Sequence, residues 1–275
     1  MDGRTGPGTG WLLVVAAAGY GKTTLLETAE PVGDAVVSHD AVVSHPAAAL
    51  LARSRSGVPL PAVRPAAPLI VDDLDRLPPD DQGDLIRSLA PVAATTRVAL
   101  ASRYPLTAAV RAGLRGPVVE RGPADLALPT DAVASTLRDE HGVPDAGVAQ
   151  LVHELTGGWP ALVHHAGAAI GRSGADPGDL LAALTEPGTP AATWLGDAVF
   201  SDLPPPAAAT LATIAALGPV CGSLCADQGG DRDGLAWLER TGLVLAHPAG
   251  RTATGEPLLR PVPVLAEAYR RPGPA

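Results

Sequence analysis

The sequence has no asparagine, one lysine, one phenylalanine and two cysteines among its 275 residues. An Asn-Lys-x-Asp motif for reading guanine therefore cannot be present, which argues against a GTPase. Aromatic residues make up 3 % against 46 % hydrophobic residues, so a core has to be assembled from Ala, Val and Leu. Cys221 and Cys225 are too few for a metal cage of their own and read as small buried hydrophobes, reduced thiols in a cytoplasmic protein. Basic charge is also scarce. With 20 Lys and Arg against 29 Asp and Glu, the net charge of −9 and pI near 5.2 argue against a broad nucleic-acid footprint, which rests on neutralising phosphates. No run approaches the roughly 18 apolar residues of a membrane span. The short apolar stretch Trp11 to Ala18 behind Arg4 imitates a signal peptide, but Asp2 spoils a basic leader, and cleavage would cut a loop whose residues carry chemistry. The expectation is a cytoplasmic protein with neither a membrane nor a direct nucleic-acid partner.

That loop is Ala16-Ala17-Ala18-Gly19-Tyr20-Gly21-Lys22-Thr23-Thr24, between the strand-like Trp11 to Val15 and the helix-prone Leu25 to Thr28. It departs from the P-loop pattern G-x-x-x-x-G-K-[ST] only at Ala16, where a small residue replaces glycine. Gly19 and Gly21 let the backbone curl so that successive N–H groups face phosphate oxygens, and the following helix adds the positive end of its dipole. Lys22 supplies a compact charge for the outer phosphates, in a geometry too tight for a guanidinium. Thr23 offers a hydroxyl to magnesium. Ala18 to Thr24 are thus the candidate residues for ATP or ADP with Mg2+.

The rest of the chain reads as α/β with a parallel sheet, since apolar runs without alternation belong to strands buried on both faces. Residues 35–46 hold a tandem hexapeptide, AVVSHD then AVVSHP; the first copy reads as a strand and the second as a linker into a helix from Ala47 to Arg53. His39 and His45 lack a third ligand nearby and read as products of the duplication. After a Pro-rich linker from Val58 to Pro68, Leu69-Ile70-Val71-Asp72-Asp73-Leu74-Asp75 reads as a Walker B strand. Asp72 at its C-terminal end is placed to hold magnesium, and Asp73 to orient or deprotonate an attacking water. A helix is expected over Asp80 to Ala90 and a strand over Arg97 to Ala101, ending in Ser102-Arg103. Arg103 reads either as a sensor of the terminal phosphate and a stabiliser of charge in its transfer, or as a surface cap. Val118 to Glu120 is a further short strand. Residues Thr130 to Ile170 are helical, broken at Gly157-Gly158 and restarted by Pro160. Trp159 reads as core, and His153, His164 and His165 as core or surface histidines. Ala207 to Leu217, Ser223 to Asp227 and Asp233 to Thr241 read as three helices before a Gly/Pro-rich hairpin, the order of a winged helix. Its charges roughly cancel, poor material for reading DNA.

With these residues in view, the chain resembles the STAND class of signal-transduction ATPases, and within it the MalT-like, large LuxR-type bacterial transcriptional regulators. AAAGYGKTTLL resembles that group's P-loop, LIVDDLDRL its Walker B, VALASRYPL its sensor strand and LTGGWPALV the Gly-x-Pro segment of its helical lid. The resemblance implies an AAA-like core over 1–125, a helical lid over 126–190 and a winged-helix-like domain over 191–275. It also implies that Gly158-Trp159-Pro160 lies against base and ribose, making Pro160 a further nucleotide residue. ADP would hold a resting state that exchange for ATP opens, with slow hydrolysis. Where relatives carry a histidine near the nucleotide, Leu259-Arg260-Pro261-Val262 offers Arg260. The sequence shows neither a helical-repeat sensor nor a helix-turn-helix segment, so the expectation is the core of such a regulator, a piece of one or a core acting with a protein partner or with itself. A non-hydrolysing nucleotide scaffold and a P-loop kinase are the alternatives.

Overall fold

The computed structural model describes residues 9–28, 44–60 and 68–271. Asp2, Arg4, the first hexapeptide copy with His39, and most of the Pro-rich linker lie outside them. The chain divides into two compact units. The first comprises the described residues up to Ala16 and from Gly21 to Gly122; the second comprises Ala17–Tyr20 and the described residues from Pro123 onward. The segments expected as lid and as winged-helix-like domain both belong to the second.

In the first unit, apolar runs become parallel strands, as buried α/β sheets require. These are β1 (Gly10–Val15), β2 (Ser44–Pro46), β3 (Leu69–Asp72), β4 (Arg97–Ser102) and β5 (Val118–Arg121). They lie side by side in the order β2-β3-β4-β1-β5. Alternate residues share a face: Trp11 and Leu13, Leu69 and Val71, Val98 and Leu100 all enter one core. Against them pack Leu50 and Leu51 of α2 (Ala47–Arg55) and Leu85, Ile86 and Leu89 of α3 (Pro79–Ala93), with Val110 of α4 (Ala108–Arg111). The opposite face buries Val14, Ile70, Ala99 and Ala101. The chain goes from β1 to the β2 edge and returns through β3 and β4 before crossing to β5. The C-terminal ends of β1, β3 and β4 therefore lie together where the order reverses, the usual ligand crevice of open α/β sheets.

Two details differ from expectation. The second hexapeptide copy supplies a strand, because Ser44, His45 and Pro46 align with Ile70, Val71 and Asp72. Among the described strands β2 lies at an edge, a position that tolerates Pro46, which has no N–H for a ladder. Helix α3 also runs through Pro91 to Ala93, although the proline gives up its own N–H bond and sets its ring against the carbonyl of Arg87.

The second unit is helical apart from one hairpin. It contains α5 (Pro123–Leu126), α6 (Thr130–His141), α7 (Ala146–Thr156), α8 (Pro160–Ser173), α9 (Leu180–Thr185), α10 (Pro190–Ala198), α11 (Pro205–Leu217), α12 (Gly222–Asp227) and α13 (Arg232–Thr241). The antiparallel pair β6 (Val244–Arg251) and β7 (Pro257–Pro261) follows, then α14 (Pro263–Arg270). Proline opens α8, α10, α11 and α14, where its fixed φ fits and its missing N–H would have had no helical partner. Gly142, Gly157, Gly174 and Gly242 take left-handed conformations at helix ends. Helices α4, α5, α9, α10 and α14 go beyond the elements expected from the sequence. Among the described residues, no helix is long and apolar enough to cross a membrane.

Leu100 sits fully buried in β4, between β1 and β3. Leu100→Ala is expected to lower the unfolding free energy by about 2–5 kcal/mol in urea titrations. At the exposed Leu217 the same change stays within about 0.5 kcal/mol.

Candidate functional site

Within the first unit, β1 and β4 end in register, Val15 opposite Ser102, and Ala16 N–H donates to the Ser102 carbonyl at 3.3 Å. Ala16 is fully buried and does not share the left-handed backbone of Gly19 and Gly21, so alanine serves there in place of glycine. Helix α1 (Lys22–Thr28) starts at the lysine, whose ammonium donates to the Ala16 carbonyl at 2.8 Å and is nearly buried. Burial lowers the Lys22 pKa to about 8; the carboxylates of Asp75 and Asp72 work against that fall and the Arg103 guanidinium adds to it.

The Thr23 hydroxyl donates to Asp72 Oδ2 at 2.6 Å, joining the start of α1 to the end of β3. Two hard oxygens this close are donors a magnesium ion accepts, since its octahedral shell of roughly 2.0–2.1 Å brings neighbouring ligands nearly as near. Asp72 Oδ1 accepts the Asp73 N–H at 2.8 Å. Asp73 is the one non-glycine residue with positive φ among those described, at 57°, and its carboxylate pairs with Arg76 at 3.2 Å. Arg103 does not stand alone at the end of β4. Its backbone N–H and its Nε donate to the two oxygens of Asp75, each at 2.7 Å, and the Asp75 side chain is only 2 % exposed.

Within the second unit, Ala17–Tyr20 is gripped by residues far along the chain. The Trp159 indole N–H donates to the Ala18 carbonyl at 3.0 Å, and the Ala161 N–H to the Gly19 carbonyl at 3.1 Å. The Ala17 N–H donates to the Thr241 carbonyl at 2.9 Å. A trans peptide is planar, so holding the carbonyls of Ala18 and Gly19 one way turns the N–H groups of Gly19 and Tyr20 the other. Among the described residues, the N–H groups of Gly19, Tyr20 and Gly21 donate to nothing, which leaves them for an anion. Gly19 has no substitute: its φ is +73°, and a Cβ would lie 2.5 Å from Ala161 Cβ and 2.7 Å from Trp194 Cζ2. Tyr20 stacks on Trp159 with ring centroids 4.7 Å apart, and its hydroxyl donates to the Gly242 carbonyl at 2.7 Å. Burial pushes the Tyr20 pKa far above its ordinary value, so the phenol stays a donor.

Of the residues singled out from sequence, Lys22, Thr23, Asp72, Asp73 and Arg103 come together in the first unit, with Gly21 preceding them and an exposed Thr24 following in α1. Ala18, Gly19 and Tyr20 meet the segment that begins at Trp159. Pro160 is the first residue of α8 and presents the next N–H, that of Ala161, to the loop. Arg260 lies in β7 opposite Leu245, its Nε buried with no hydrogen-bond partner among the described residues. The sequence reading missed Asp75 as the anchor of Arg103, although it closes the quoted acidic run. It also missed the hold of Thr241 and Gly242 on the loop. For that, the one local signal is a glycine at a helix end.

No protein-family model matches the chain, and no curated protein matches it either. Among solved structures it is similar to a variant of RuvB from Thermotoga maritima, with 16 % identity over 90 % of this chain and 84 % of that chain and a TM-score of 0.46. It is also similar to a STAND protein with a tetratricopeptide repeat sensor from Pyrococcus horikoshii, with 15 % identity over 96 % of this chain and a TM-score of 0.38. The chain spans 40 % of that second protein's length. Likenesses this low settle nothing about activity, and the site residues carry the functional conclusion.

Two measurements follow from this geometry. Lys22 is the only lysine, so protein carrying 13C-labelled lysine gives a single side-chain resonance. It should titrate near pH 8 rather than at the 10.5 of a free lysine, and a midpoint above 10 would contradict the buried ammonium. Tyr20→Phe leaves the Gly242 carbonyl without its phenol partner and should cost roughly 1–3 kcal/mol in denaturant titrations.

Proposed function

We propose that the chain is a nucleotide-dependent switch that binds ATP and ADP with magnesium and turns the identity of the nucleotide into a change of shape. The observation that carries this reading is the hydrogen bond between Thr23 and Asp72. It joins a hydroxyl that follows a phosphate-type loop to an acid at the end of β3, beside a buried ammonium. Lys22 and the loop N–H groups of Gly19, Tyr20 and Gly21 bind the phosphates. Thr23 and Asp72 hold the ion. Magnesium, when bound, neutralises phosphate charge. Asp73 orients water, and Arg103, positioned by Asp75, meets the terminal phosphate.

The switching half of the proposal rests on where the loop's partners come from. Ala18 is held by a side chain 141 residues away and Tyr20 by a carbonyl 222 residues away. A change in the loop backbone on nucleotide exchange therefore reaches the starts of α8 and β6 directly. In this reading ADP holds the resting arrangement, and the chain acts in the cytoplasm as the core of a STAND regulator of the MalT-like, LuxR type. The segment α11 to β7 then serves as a winged-helix-like regulatory arm, because its balanced charges suit a protein contact better than DNA.

A second reading, a scaffold that binds nucleotide without hydrolysing it, is favoured by the pairing of both candidate catalytic groups, Asp73 with Arg76 and Arg103 with Asp75.

Equilibrium binding of ATP and ADP with magnesium, alongside phosphate release, tests both readings. Wild type should bind either nucleotide. Lys22→Ala should bind about 10- to 100-fold more weakly, the loss of a charge-assisted bond of roughly 1.5–3 kcal/mol. Slow phosphate release favours the switch, and tight binding with no release favours the scaffold. A folded wild type that binds neither nucleotide would overturn both.

A further inference from the structure

One side-chain cluster of the second unit takes no part in this site. His141 is the last residue of α6, and His164 lies in the second turn of α8. The structure sets His141 Nε2 3.3 Å from His164 Nδ1, and His164 Nδ1 3.5 Å from Glu140 Oε2. One ligand atom from each of Glu140, His141 and His164 lies within 4.8 Å of the other two. In a tetrahedral zinc site with bonds of about 2.0–2.1 Å, two ligand atoms stand roughly 3.3–3.4 Å apart. The separations of 3.3 and 3.5 Å lie close to that edge, whereas 3.3 Å is long for a hydrogen bond.

The place of His141 in this cluster is shaped by the backbone of α8. Gly167 lies three residues beyond His164, on the same face of α8. A Cβ there would stand 2.3 Å from His141 Cδ2, so glycine makes the space in which the imidazole lies. One turn on, a Cβ at Gly171 would stand 2.3 Å from the His141 carbonyl oxygen. These glycines let the end of α6 close onto α8 and aim His141 at His164. His165, next in the chain, turns instead to the Trp194 ring, centroids 5.5 Å apart, and His153 does not join the cluster.

We propose that Glu140, His141 and His164 form a binding site for a divalent transition-metal ion of the zinc class, with its remaining coordination open to solvent. Two imidazoles and one carboxylate suit zinc, cobalt, nickel or copper and not magnesium or calcium, which take oxygen ligands. Metal ligation needs neutral imidazoles. The bound ion would clip the end of α6 to α8, the helix whose Ala161 N–H holds Gly19 in this same unit. The site stands whether or not the chain binds nucleotide.

The test is titration of the whole, tag-free chain with Zn2+ by calorimetry and with Co2+ by visible absorption, in excess Mg2+ to occupy oxygen sites. Wild type should bind one equivalent, show the intense cobalt spectrum of four-coordinate nitrogen and oxygen ligation, and melt at higher temperature with Zn2+. The double variant His141→Ala/His164→Ala should lose all three signals. Glu140→Gln should weaken binding, and His153→Ala should change nothing. His164 is half-exposed, so His164→Gln provides a folded single variant should the double variant fail to fold. No binding by wild type, or binding that survives loss of both histidines or His164→Gln undiminished, overturns the proposal.

Discussion

The candidate site depends on the direction in which a few peptide planes face. Once Trp159 and Ala161 hold the carbonyls of Ala18 and Gly19, the intervening N–H groups have no freedom to turn back, because each shares a rigid plane with a carbonyl already engaged. A loop that leaves donors unpaired pays a cost that only an anion or water can offset. The stack of Tyr20 on Trp159, closed by the phenol on Gly242, keeps the loop in this state, and Gly19 fits because it brings no side chain to the crowded point between Ala161 and Trp194.

Charge follows the same logic in the first unit. A buried ammonium is costly, and Lys22 is kept in place by the Ala16 carbonyl and by acids on β3 and the turn after it. Asp75 cannot be spared for a ligand, since its two oxygens fix the backbone and the side chain of Arg103. That leaves Asp72, already on Thr23, as the acid most directly available to an ion. Asp73, bent into a left-handed backbone and turned toward Arg76, faces a partly solvated edge.

Much of this was legible in the sequence, for definite reasons. Lys22, Thr23 and Asp72 were legible because a phosphate loop and an acidic strand end are local patterns whose spacing carries the chemistry. Strands β1, β3 and β4 stood out because residues buried on two faces must be apolar without interruption. The second hexapeptide copy reads as a linker yet supplies the strand Ser44–Pro46, since a three-residue strand is too short for periodicity to register; the first copy lies outside the described residues. Helices α4 and α5 are four residues each, too short for a helical period to register. The pairs Tyr20 with Gly242 and His141 with His164 join residues far apart in the chain, and no local pattern encodes them. Trp159 reads as core, which its burial agrees with, but its indole N–H also ties down the loop.

The edges of the five-stranded sheet bear on how the molecule meets other chains. Among the described residues, β2 ends one side with three residues, the last a proline that cannot donate to an added strand. On the other side β5 is exposed along its length, with Val118 and Val119 open to water, but it ends in Glu120 and Arg121, and Glu120 pairs with Arg111. Proline and brevity at one margin, and ionic side chains at the other, are the devices by which open sheets avoid recruiting stray strands. Among the described residues, both margins of the sheet therefore carry features that disfavour pairing with a further strand.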